Sequence, residues 1–323
     1  MKNNKIYFTD NKEENLSRKR AYIKDQNKKL SKSLGFLKES IINTDIESLS
    51  INHKKFIAYF KRPRISLYLN LEDSRSCAIE TINFSRYEPN DSNMIFGTLS
   101  YLSKKNKNIK FFDVGANEGF YSIASLKEFK NIELHLFEAA PETAKILKEN
   151  LKLNNLELRN FNEIALSEKI GSEKFIYVPG LRGSSSFRDL VHHETAVEIE
   201  VKTITLDFYI ESKNTFPDFV KIDVEGAERQ VFNGFKKSLK SAKIKPILFV
   251  EILRKWSRKF GYEGADFFKD ILSYGYNAFC INSENKIYEC TELNEETKAT
   301  NFLFIPKEFD DLEDLKENIK KWV

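Results

Sequence analysis

The sequence predicts an α/β protein with a doubly wound, mostly parallel, seven-stranded sheet and an N-terminal α/β extension. From Lys110 onward, short apolar strands alternate with amphipathic helices, as in strand–helix–strand crossovers. The last two apolar segments have little helix between them, which favours an antiparallel pair at the edge of the sheet. We therefore expect an extension over residues 1–85 and a main domain over residues 86–323.

Composition limits the classes of function. The 323 residues are 41% hydrophobic and 31% charged, with a net charge of +4. This near balance gives no reason to expect a nucleic-acid partner. No apolar run approaches the roughly 20 residues of a membrane span, and the first residues lack an apolar leader segment. Cys77, Cys280 and Cys290 show no metal spacing, so we expect reduced thiols and a cytoplasmic protein.

The extension combines charge with short strands. Residues 11–32 predict a charged helix or a partly ordered arm, whose basic residues either contact a membrane or polyanion or, as we favour, form a solvated face. This extension is also our candidate for homo-oligomerisation. Residues 56–60, 64–71 and 78–84 alternate as strands, and residues 88–105 follow as a helix with Pro89 near its start.

The main domain has seven predicted strands and four predicted helices. The strands are IKFFDVG (109–115), IELHLFEA (132–139), LRNFNEIAL (158–166), PDFVKIDV (217–224), KPILFVEI (245–252), NAFCIN (277–282) and TNFLFIP (300–306). The helices cover residues 119–129, 141–154, 226–239 and 264–276.

A glycine-rich turn, FFDVGANEGFYS (111–122), joins the first of these strands to its helix. Gly115 and Gly119 let the backbone bend sharply and approach a ligand. Asp113 would repel a pyrophosphate but attract the ammonium group of an amino acid. Glu138 ends the neighbouring strand, where a carboxylate accepts hydrogen bonds from ribose hydroxyls. The combination predicts a nucleoside joined to a cationic amino acid, which describes S-adenosylmethionine.

These motifs, with NEIALSEKIGSEKF, DFVKIDVEGAERQVFNG and PILFVEI, resemble in order those of FkbM-type methyltransferases. That family is a branch of the class I S-adenosylmethionine-dependent enzymes, so the resemblance implies a Rossmann-like cofactor-binding domain. It further implies contacts with the methionine end, the ribose and the adenine. The residues concerned are Asp113, Gly115, Ala116, Asn117 and Gly119 for the methionine end, Glu138 and Ala139 for the ribose, and Glu163 to Ala165 for the adenine.

The stretch VKIDVEGAE (220–228) carries the candidate acceptor site. Lys221, Asp223 and Glu225 alternate at a strand end and project to one side, and the next strand ends in Glu251. Two mechanisms remain open for activating a hydroxyl. Asp223 or a nearby histidine acts as the base, or Asp223 and Glu251 ligate a hard cation such as Mg²⁺.

The insert GLRGSSSFRDLVHHET (180–195) is predicted to be a mobile loop that covers a substrate. His192, beside His193, is its candidate base, so the catalytic candidates are Lys221, Asp223, Glu225 and His192. His135 lies inside an apolar strand and is interpreted as a core residue.

The favoured function is S-adenosylmethionine-dependent O-methylation of a hydroxyl on a sugar, glycan or related natural product. One alternative is a non-catalytic nucleoside-binding module. Another is a methyltransferase of nucleic acid or protein. Against the latter, the chain reads Asp-Val-Glu-Gly where amino-directed methylases place Asn/Asp-Pro-Pro-aromatic after the fourth strand.

Overall fold

A computed structural model of the protein describes residues 12–51, 55–282 and 286–322. Residues 1–10, on which the expectation of no leader segment rests, lie outside the described residues, as does Asn11 of the predicted charged helix. The helices are α1 (Lys12–Ile41), α2 (Cys77–Phe84), α3 (Pro89–Lys105), α4 (Phe120–Glu128), α5 (Pro141–Leu153), α6 (Leu206–Lys213), α7 (Glu228–Asn233), α8 (Lys236–Ser241), α9 (Arg254–Lys259), α10 (Gly264–Ser273) and α11 (Leu312–Lys320). The strands are β1 (Ile46–Ile51), β2 (Phe56–Phe60), β3 (Ser66–Leu69), β4 (Ile109–Val114), β5 (Ile132–Phe137), β6 (Phe161–Asn162), β7 (Ala165–Leu166), β8 (Gly171–Tyr177), β9 (Val197–Ile204), β10 (Phe219–Ile222), β11 (Ile247–Glu251), β12 (Tyr276–Ile281), β13 (Ile287–Cys290) and β14 (Asn301–Pro306).

The main sheet confirms the predicted doubly wound α/β fold. Its eight strands run in the order β13-β12-β14-β11-β10-β4-β5-β6. Strands β11, β10, β4, β5 and β6 are parallel, so the order reverses between β4 and β10, and ligands of open α/β sheets bind at such a point. The predicted antiparallel pair is present as β12 and β14. It does not form the edge, because β13 adds an eighth strand beyond β12.

The predicted third strand is mostly absent from this sheet. Only β6, with two residues, pairs with β5. Ala165 and Leu166 pair with Thr203 and Ile204 of β9 instead, and so belong to a separate sheet of order β7-β9-β8. The chain therefore leaves the main sheet at Glu163.

The extension contains a long helix, a three-stranded antiparallel sheet and a short helix. Strands β2 and β3 are where the alternation predicted them. The charged segment forms helix α1, so of its two predicted conformations the helix is the one present. The strand predicted over residues 78–84 is wrong, since this segment is helix α2. Its buried residues Cys77, Ala78 and Thr81 share one helical face, and the Thr81 hydroxyl donates to the Cys77 carbonyl.

Two apolar clusters cover the two faces of the main sheet. One contains Phe112, Val220 and Leu248 with side chains of α7, α8 and α10. The other contains Phe111 and Phe219 with side chains of α3, α4 and α11, and it continues into the extension through residues such as Ala58, Phe60 and Leu67. The extension thus packs on one face of the sheet, while the division of the chain at residue 85 stays a prediction.

The cysteines differ from expectation. Cys280 and Cys290 form a disulfide between β12 and β13, whereas Cys77 is a buried free thiol. The expectation of three reduced thiols is therefore corrected, because the antiparallel pairing of the consecutive strands β12 and β13 brings together two cysteines ten residues apart in sequence. Within the described ranges, no helix combines the length and the apolar character that crossing a membrane requires.

Candidate functional site

A cavity of about 390 Å³ lies at the carboxyl ends of the central parallel strands. Its lining includes the last residues of β4, β5 and β11 and the residues that follow β10. Backbone and side chains at these strand ends converge because parallel strands present their carboxyl ends at one edge. This is the edge at which the glycine-rich turn was predicted to bind a ligand.

The glycine-rich turn has the backbone that its sequence predicts. Gly115, Asn117 and Gly119 have φ values of +81°, +49° and +92°, all in the left-handed region. A Cβ on Gly115 would collide with the Asp223 carbonyl, and one on Gly119 would collide with Leu147. Gly115 and Asn117 line the cavity. Ala116 and Gly119 are buried in the turn and stand behind that lining.

Glu138 joins this turn to the end of β5. Its carboxylate accepts hydrogen bonds from the backbone N–H groups of Asn117 and Ala140, each at 2.9 Å. Burial raises its pKa to about 7, although these two hydrogen bonds oppose the shift. Both Glu138 and Ala139 line the cavity. The carboxylate is thus fixed in orientation and still faces the space beside the turn.

Of the residues that follow β6, some line the cavity and one does not. Ile164, Ala165 and Leu166 line the cavity and give it an apolar side. The Glu163 side chain is exposed and pairs with Lys148, so the structure does not bring its carboxylate to the cavity.

Asp113 lies beneath the turn. It is 1% exposed, its carboxylate accepts from the Ser122 hydroxyl, and it is 3.6 Å from the Lys221 ammonium. Burial raises the pKa of Asp113, and Lys221 and Ser122 oppose that shift. The structure therefore places this carboxylate behind the cavity lining, where it supports Lys221.

Lys221 is a buried cation that connects both halves of the site. Its Nζ lies 2.9 Å from the Asp223 carboxylate and donates to the Gly115 carbonyl at 3.2 Å. Burial lowers the pKa of Lys221, but the Asp223 and Asp113 carboxylates outweigh burial and raise it overall. Lys221 therefore stays charged and holds Asp223 and the glycine-rich turn together.

Three carboxylates meet at the cavity, namely those of Asp223, Glu225 and Glu251, and the first of them pairs with Lys221. An oxygen from each lies within 4.8 Å of the others, a grouping that could hold a metal ion. Burial, and then repulsion from Asp223, raise the pKa values of Glu225 and Glu251 well above their usual range. Each of these two glutamates has a buried Oε2 without a hydrogen-bond partner. Hence the cluster is short of positive charge and of donors.

The turn that carries Asp223 and Glu225 is braced by Glu228, which the sequence analysis did not assign to the site. Glu225 and Gly226 have left-handed φ values of +54° and +97°. The Glu228 carboxylate accepts from the N–H groups of Val224 and Gly226, at 3.1 and 2.9 Å. An acid that caps the N–H groups of the preceding turn is a recognisable signal in EGAE.

Glu88 is a second residue that the sequence analysis missed. It precedes α3 with a left-handed φ of +38°, a rare conformation for a residue with a side chain. Its carboxylate accepts from the Tyr121 hydroxyl at 2.6 Å and lines the cavity. Burial, with repulsion from Asp91 and Asp223, raises the pKa of Glu88 to about 8. The sequence signal was the tripeptide Tyr87-Glu88-Pro89. It indicates no function by itself, and only the fold shows that Glu88 lines the cavity.

Comparison with known proteins identifies the family. A sequence model described as the methyltransferase FkbM domain matches residues 113–278, just over half of the chain. The protein belongs to the FkbM methyltransferase family. The predicted resemblance is thus confirmed.

A curated relative and three solved structures are similar to this FkbM-family chain. Methyltransferase sdnD of Sordaria araneosa is 28% identical over an alignment of 151 positions, and the match covers 38% of this chain and 58% of that protein. The chain therefore spans less than two thirds of the length of that relative. A precorrin-6y C5,15-methyltransferase from Geobacter metallireducens has a TM-score of 0.34 at 12% identity, covering 65% of this chain and 84% of that one. An O-methyltransferase from Bacillus cereus in complex with SAH scores 0.36 at 13%, covering 66% and 79%. A SAM-dependent O-methyltransferase from Thermotoga maritima scores 0.35 at 12%, covering 81% and 85%.

In this FkbM-family chain the three histidines that the structure describes, His135, His192 and His193, lie apart from the cavity. The His192 side chain is 75% exposed and pairs with Asp189 at 2.8 Å, and the His193 ring bonds Thr195. The structure does not bring either ring to the lining. His135 is the predicted core residue, since its ring is buried and bonds the Tyr209 hydroxyl at 2.8 Å.

The insert and the extension close the cavity together. Arg182 of the insert is 3.0 Å from Asp73 and 3.5 Å from Glu118, and all three side chains are buried. Arg75 lines the cavity and donates to the Ser184 hydroxyl at 2.8 Å. The insert therefore forms part of the cavity wall and is held by a long-range ion pair with the extension that no sequence motif indicated. Its mobility and its contact with a substrate stay predictions.

Proposed function

We propose that this protein is an S-adenosylmethionine-dependent O-methyltransferase that acts on a hydroxyl of a sugar, glycan or related natural product. The observation that carries the proposal is the position of Glu138. Its oriented carboxylate faces a cavity walled on one side by a glycine-rich turn and on another by carboxylates. FkbM family membership supports methyl transfer as the reaction class.

The cofactor half of the cavity suits an adenosine joined to an amino acid. Cavities of about 300–1,000 Å³ hold drug-sized ligands, and this one has about 390 Å³. Glu138 accepts from ribose hydroxyls, with Ala139 alongside. The apolar side formed by Ile164, Ala165 and Leu166 receives the adenine ring. The methionine end lies along Gly115 and Asn117, and Asp113 acts from beneath by holding Lys221.

The acceptor half must activate a hydroxyl, which is a poor nucleophile while protonated. The carboxylates of Asp223, Glu225, Glu251 and Glu88 surround the space beyond the methionine end. Of these, Asp223 is paired with the Lys221 ammonium at 2.9 Å, which orients its carboxylate. Asp223 therefore orients the acceptor hydroxyl and accepts its proton.

A divalent cation such as Mg²⁺ is the second way to activate the hydroxyl. Asp223, Glu225 and Glu251 would hold it, because hard cations prefer carboxylate oxygens. Both glutamates also have a buried Oε2 without a hydrogen-bond partner, which the cation would contact. Such an ion would act as a Lewis acid that lowers the pKa of the acceptor hydroxyl. It would also neutralise the repulsion within the cluster.

Isothermal titration with S-adenosylhomocysteine, followed by transfer of a radiolabelled methyl group to mixed glycans with and without EDTA, tests the proposal. We expect saturable binding and labelled product. Product loss in EDTA, restored by Mg²⁺, supports the cation, whereas unchanged turnover supports Asp223 alone. Binding without turnover across broad acceptor sets would instead favour a non-catalytic module. Absence of binding would refute the cofactor assignment.

We also propose that α1 mediates homo-oligomerisation. Leu16, Ile23, Leu30 and Leu37 recur every seven residues and are exposed, a spacing typical of helices that pack along each other. Light scattering after size exclusion tests this. The Ile23→Glu/Leu30→Glu variant should be monomeric, whereas the Lys28→Glu/Lys32→Glu variant on the opposite face should keep the assembly. A monomeric wild-type protein would contradict the proposal.

A further inference from the structure

A second cavity, of about 860 Å³, lies away from the strand ends. It is bounded by the connection between β2 and β3, the start of α3, the end of α4 and the residues after α11. We call it the basic cavity. The cations in its lining are Lys61, Arg62, Arg64, Arg86, Lys127 and Lys321, against the acids Asp45 and Glu128.

Most of this positive charge is uncompensated. Arg86 pairs with Asp45 at 3.1 Å, and Lys61 donates to the Thr44 carbonyl at 2.7 Å. The other four cations, Arg62, Arg64, Lys127 and Lys321, form no ion pair with any residue that the structure describes. Four unpaired cations around one concavity produce a positive potential that attracts anions.

Asn93 gives an independent indication of a ligand. It lines the basic cavity, is 1% exposed, and neither its Oδ1 nor its Nδ2 has a hydrogen-bond partner among the described residues. A buried amide without partners is destabilising, and native proteins rarely keep one. An amide held in this state is explained if a ligand supplies the missing hydrogen bonds.

The remaining wall is aromatic. Phe60, Phe96, Phe120, Tyr87 and Trp322 line the basic cavity, and the rings of Phe96 and Trp322 are 5.4 Å apart. Aromatic rings bind apolar or planar groups by edge and offset contacts. The arginine guanidinium groups at the rim match a phosphate, which they bind through two parallel hydrogen bonds.

We propose that the basic cavity binds a phosphate monoester of an aromatic or apolar compound. The phosphate lies among Arg62, Arg64, Lys127 and Lys321, the apolar body lies on the aromatic wall, and a polar atom of the ligand bonds Asn93. This assignment does not depend on the proposed methyl transfer. Tyr87 belongs to both linings, so an occupant of the basic cavity contacts the residue next to Glu88.

Titration calorimetry with phenyl phosphate tests the proposal, with inorganic phosphate as the comparison that lacks the ring. We expect phenyl phosphate to bind more tightly than inorganic phosphate. A parallel sedimentation assay uses phosphatidylcholine vesicles with and without phosphatidic acid. Binding of phenyl phosphate assigns a soluble ligand. Binding only to vesicles that contain phosphatidic acid assigns a lipid headgroup. Binding to neither overturns the proposal.

Matched double variants locate the site. Lys127→Ala/Lys321→Ala should weaken binding about tenfold or more, since each loses a charge-assisted contact. Lys202→Ala/Lys269→Ala removes two exposed lysines outside both cavities and should bind like the wild type. Equal weakening in both variants, or none in the first, contradicts the site.

The Asn93→Leu variant tests the amide. Replacing a buried polar group that lacks partners by an apolar group of similar size should raise the melting temperature while weakening phenyl phosphate binding. Wild-type affinity in this variant would show that Asn93 does not contact the ligand. The proposal would then lose the observation that distinguishes a binding site from a basic surface, and it would be overturned.

Discussion

The ammonium nitrogen of Lys221 lies 2.9 Å from the Asp223 carboxylate, on the boundary between the two halves of the main cavity. The same nitrogen is 3.6 Å from Asp113 and 3.2 Å from the Gly115 carbonyl. One buried cation thus fixes the turn assigned to the cofactor and the carboxylate assigned to the acceptor. Burying a cation among carboxylates is tolerated because each charge has a partner.

Lys221→Met should lower the free energy of unfolding by about 3–5 kcal/mol, the usual cost of removing one partner of a buried ion pair. The loss arises because Asp113 would keep a buried charge without compensation. Urea denaturation followed by circular dichroism measures it. Lys202→Met, at an exposed position of β9, is the control and should change stability by less than about 0.5 kcal/mol. Similar stability of both variants would show that the ion pairs contribute little.

Gly115→Ala should abolish most S-adenosylhomocysteine binding. Residue 115 has a φ of +81°, and a Cβ there would meet the Asp223 carbonyl, so the turn must move away from the strand end. Backbone strain of this kind costs about 1–3 kcal/mol, which we expect to lower both stability and affinity. Gly35→Ala is the matched control, because no atom lies within 4 Å of a Cβ at that position of α1. Wild-type affinity in Gly115→Ala would remove the turn from the cofactor site.

Sequence reasoning predicted the parts of the site that follow from local patterns at the ends of the parallel strands. The left-handed glycine-rich turn, Glu138 directly after β5, the acids after β10 and the acid that ends β11 all follow from local patterns and from the convergence of parallel strands. It also predicted the sheet, since alternating strands and helices leave few topologies.

Contacts between distant segments could not be predicted in the same way. Arg182 meets Asp73 and Glu118 through the packing of the extension on the sheet, and no local pattern encodes that packing. Glu163 ends a predicted strand, yet the chain leaves the sheet there, because β7 pairs with β9. Asp113 was predicted to face the ligand, but its carboxylate is buried beside Lys221 and outside the cavity lining, which strand alternation alone does not show.

Cofactor affinity should depend on pH through Glu138. In the cofactor-free protein the pKa of this carboxyl is raised to about 7, so it is mostly protonated below that pH and ionised above it. Ribose hydroxyls donate to the ionised form. Affinity for S-adenosylhomocysteine should therefore rise as the pH passes 7 and then level off. Calorimetric titrations from pH 6 to 8.5 measure this affinity. Below pH 7, binding should also release roughly one proton from the Glu138 carboxyl.

Glu138→Gln is the control, since it keeps the shape and cannot titrate. Its affinity should be lower and flat across the same pH range. The stability of the free protein should change in the opposite direction. The folded chain keeps this proton up to about pH 7, whereas the unfolded chain loses it near the ordinary value of 4.5. This carboxyl therefore lowers the free energy of unfolding as pH rises through that window. A rise in affinity that persists in Glu138→Gln would assign the titration to another group.

Asp223→Asn should separate binding from transfer. The amide keeps the size of the side chain and can still bond the buried Lys221, but it cannot accept the acceptor proton or serve as an anionic metal ligand. We expect S-adenosylhomocysteine affinity close to the wild type and methyl transfer slower by about 10²–10⁴-fold, the usual contribution of a positioned base. Single-turnover transfer and calorimetry on the same preparation give the two quantities. Asp310→Asn, at an exposed position outside both cavities, should leave both unchanged. A variant that loses cofactor affinity but transfers normally once saturated would move Asp223 to the cofactor side, and the base would then have to be sought among Glu88, Glu225 and Glu251.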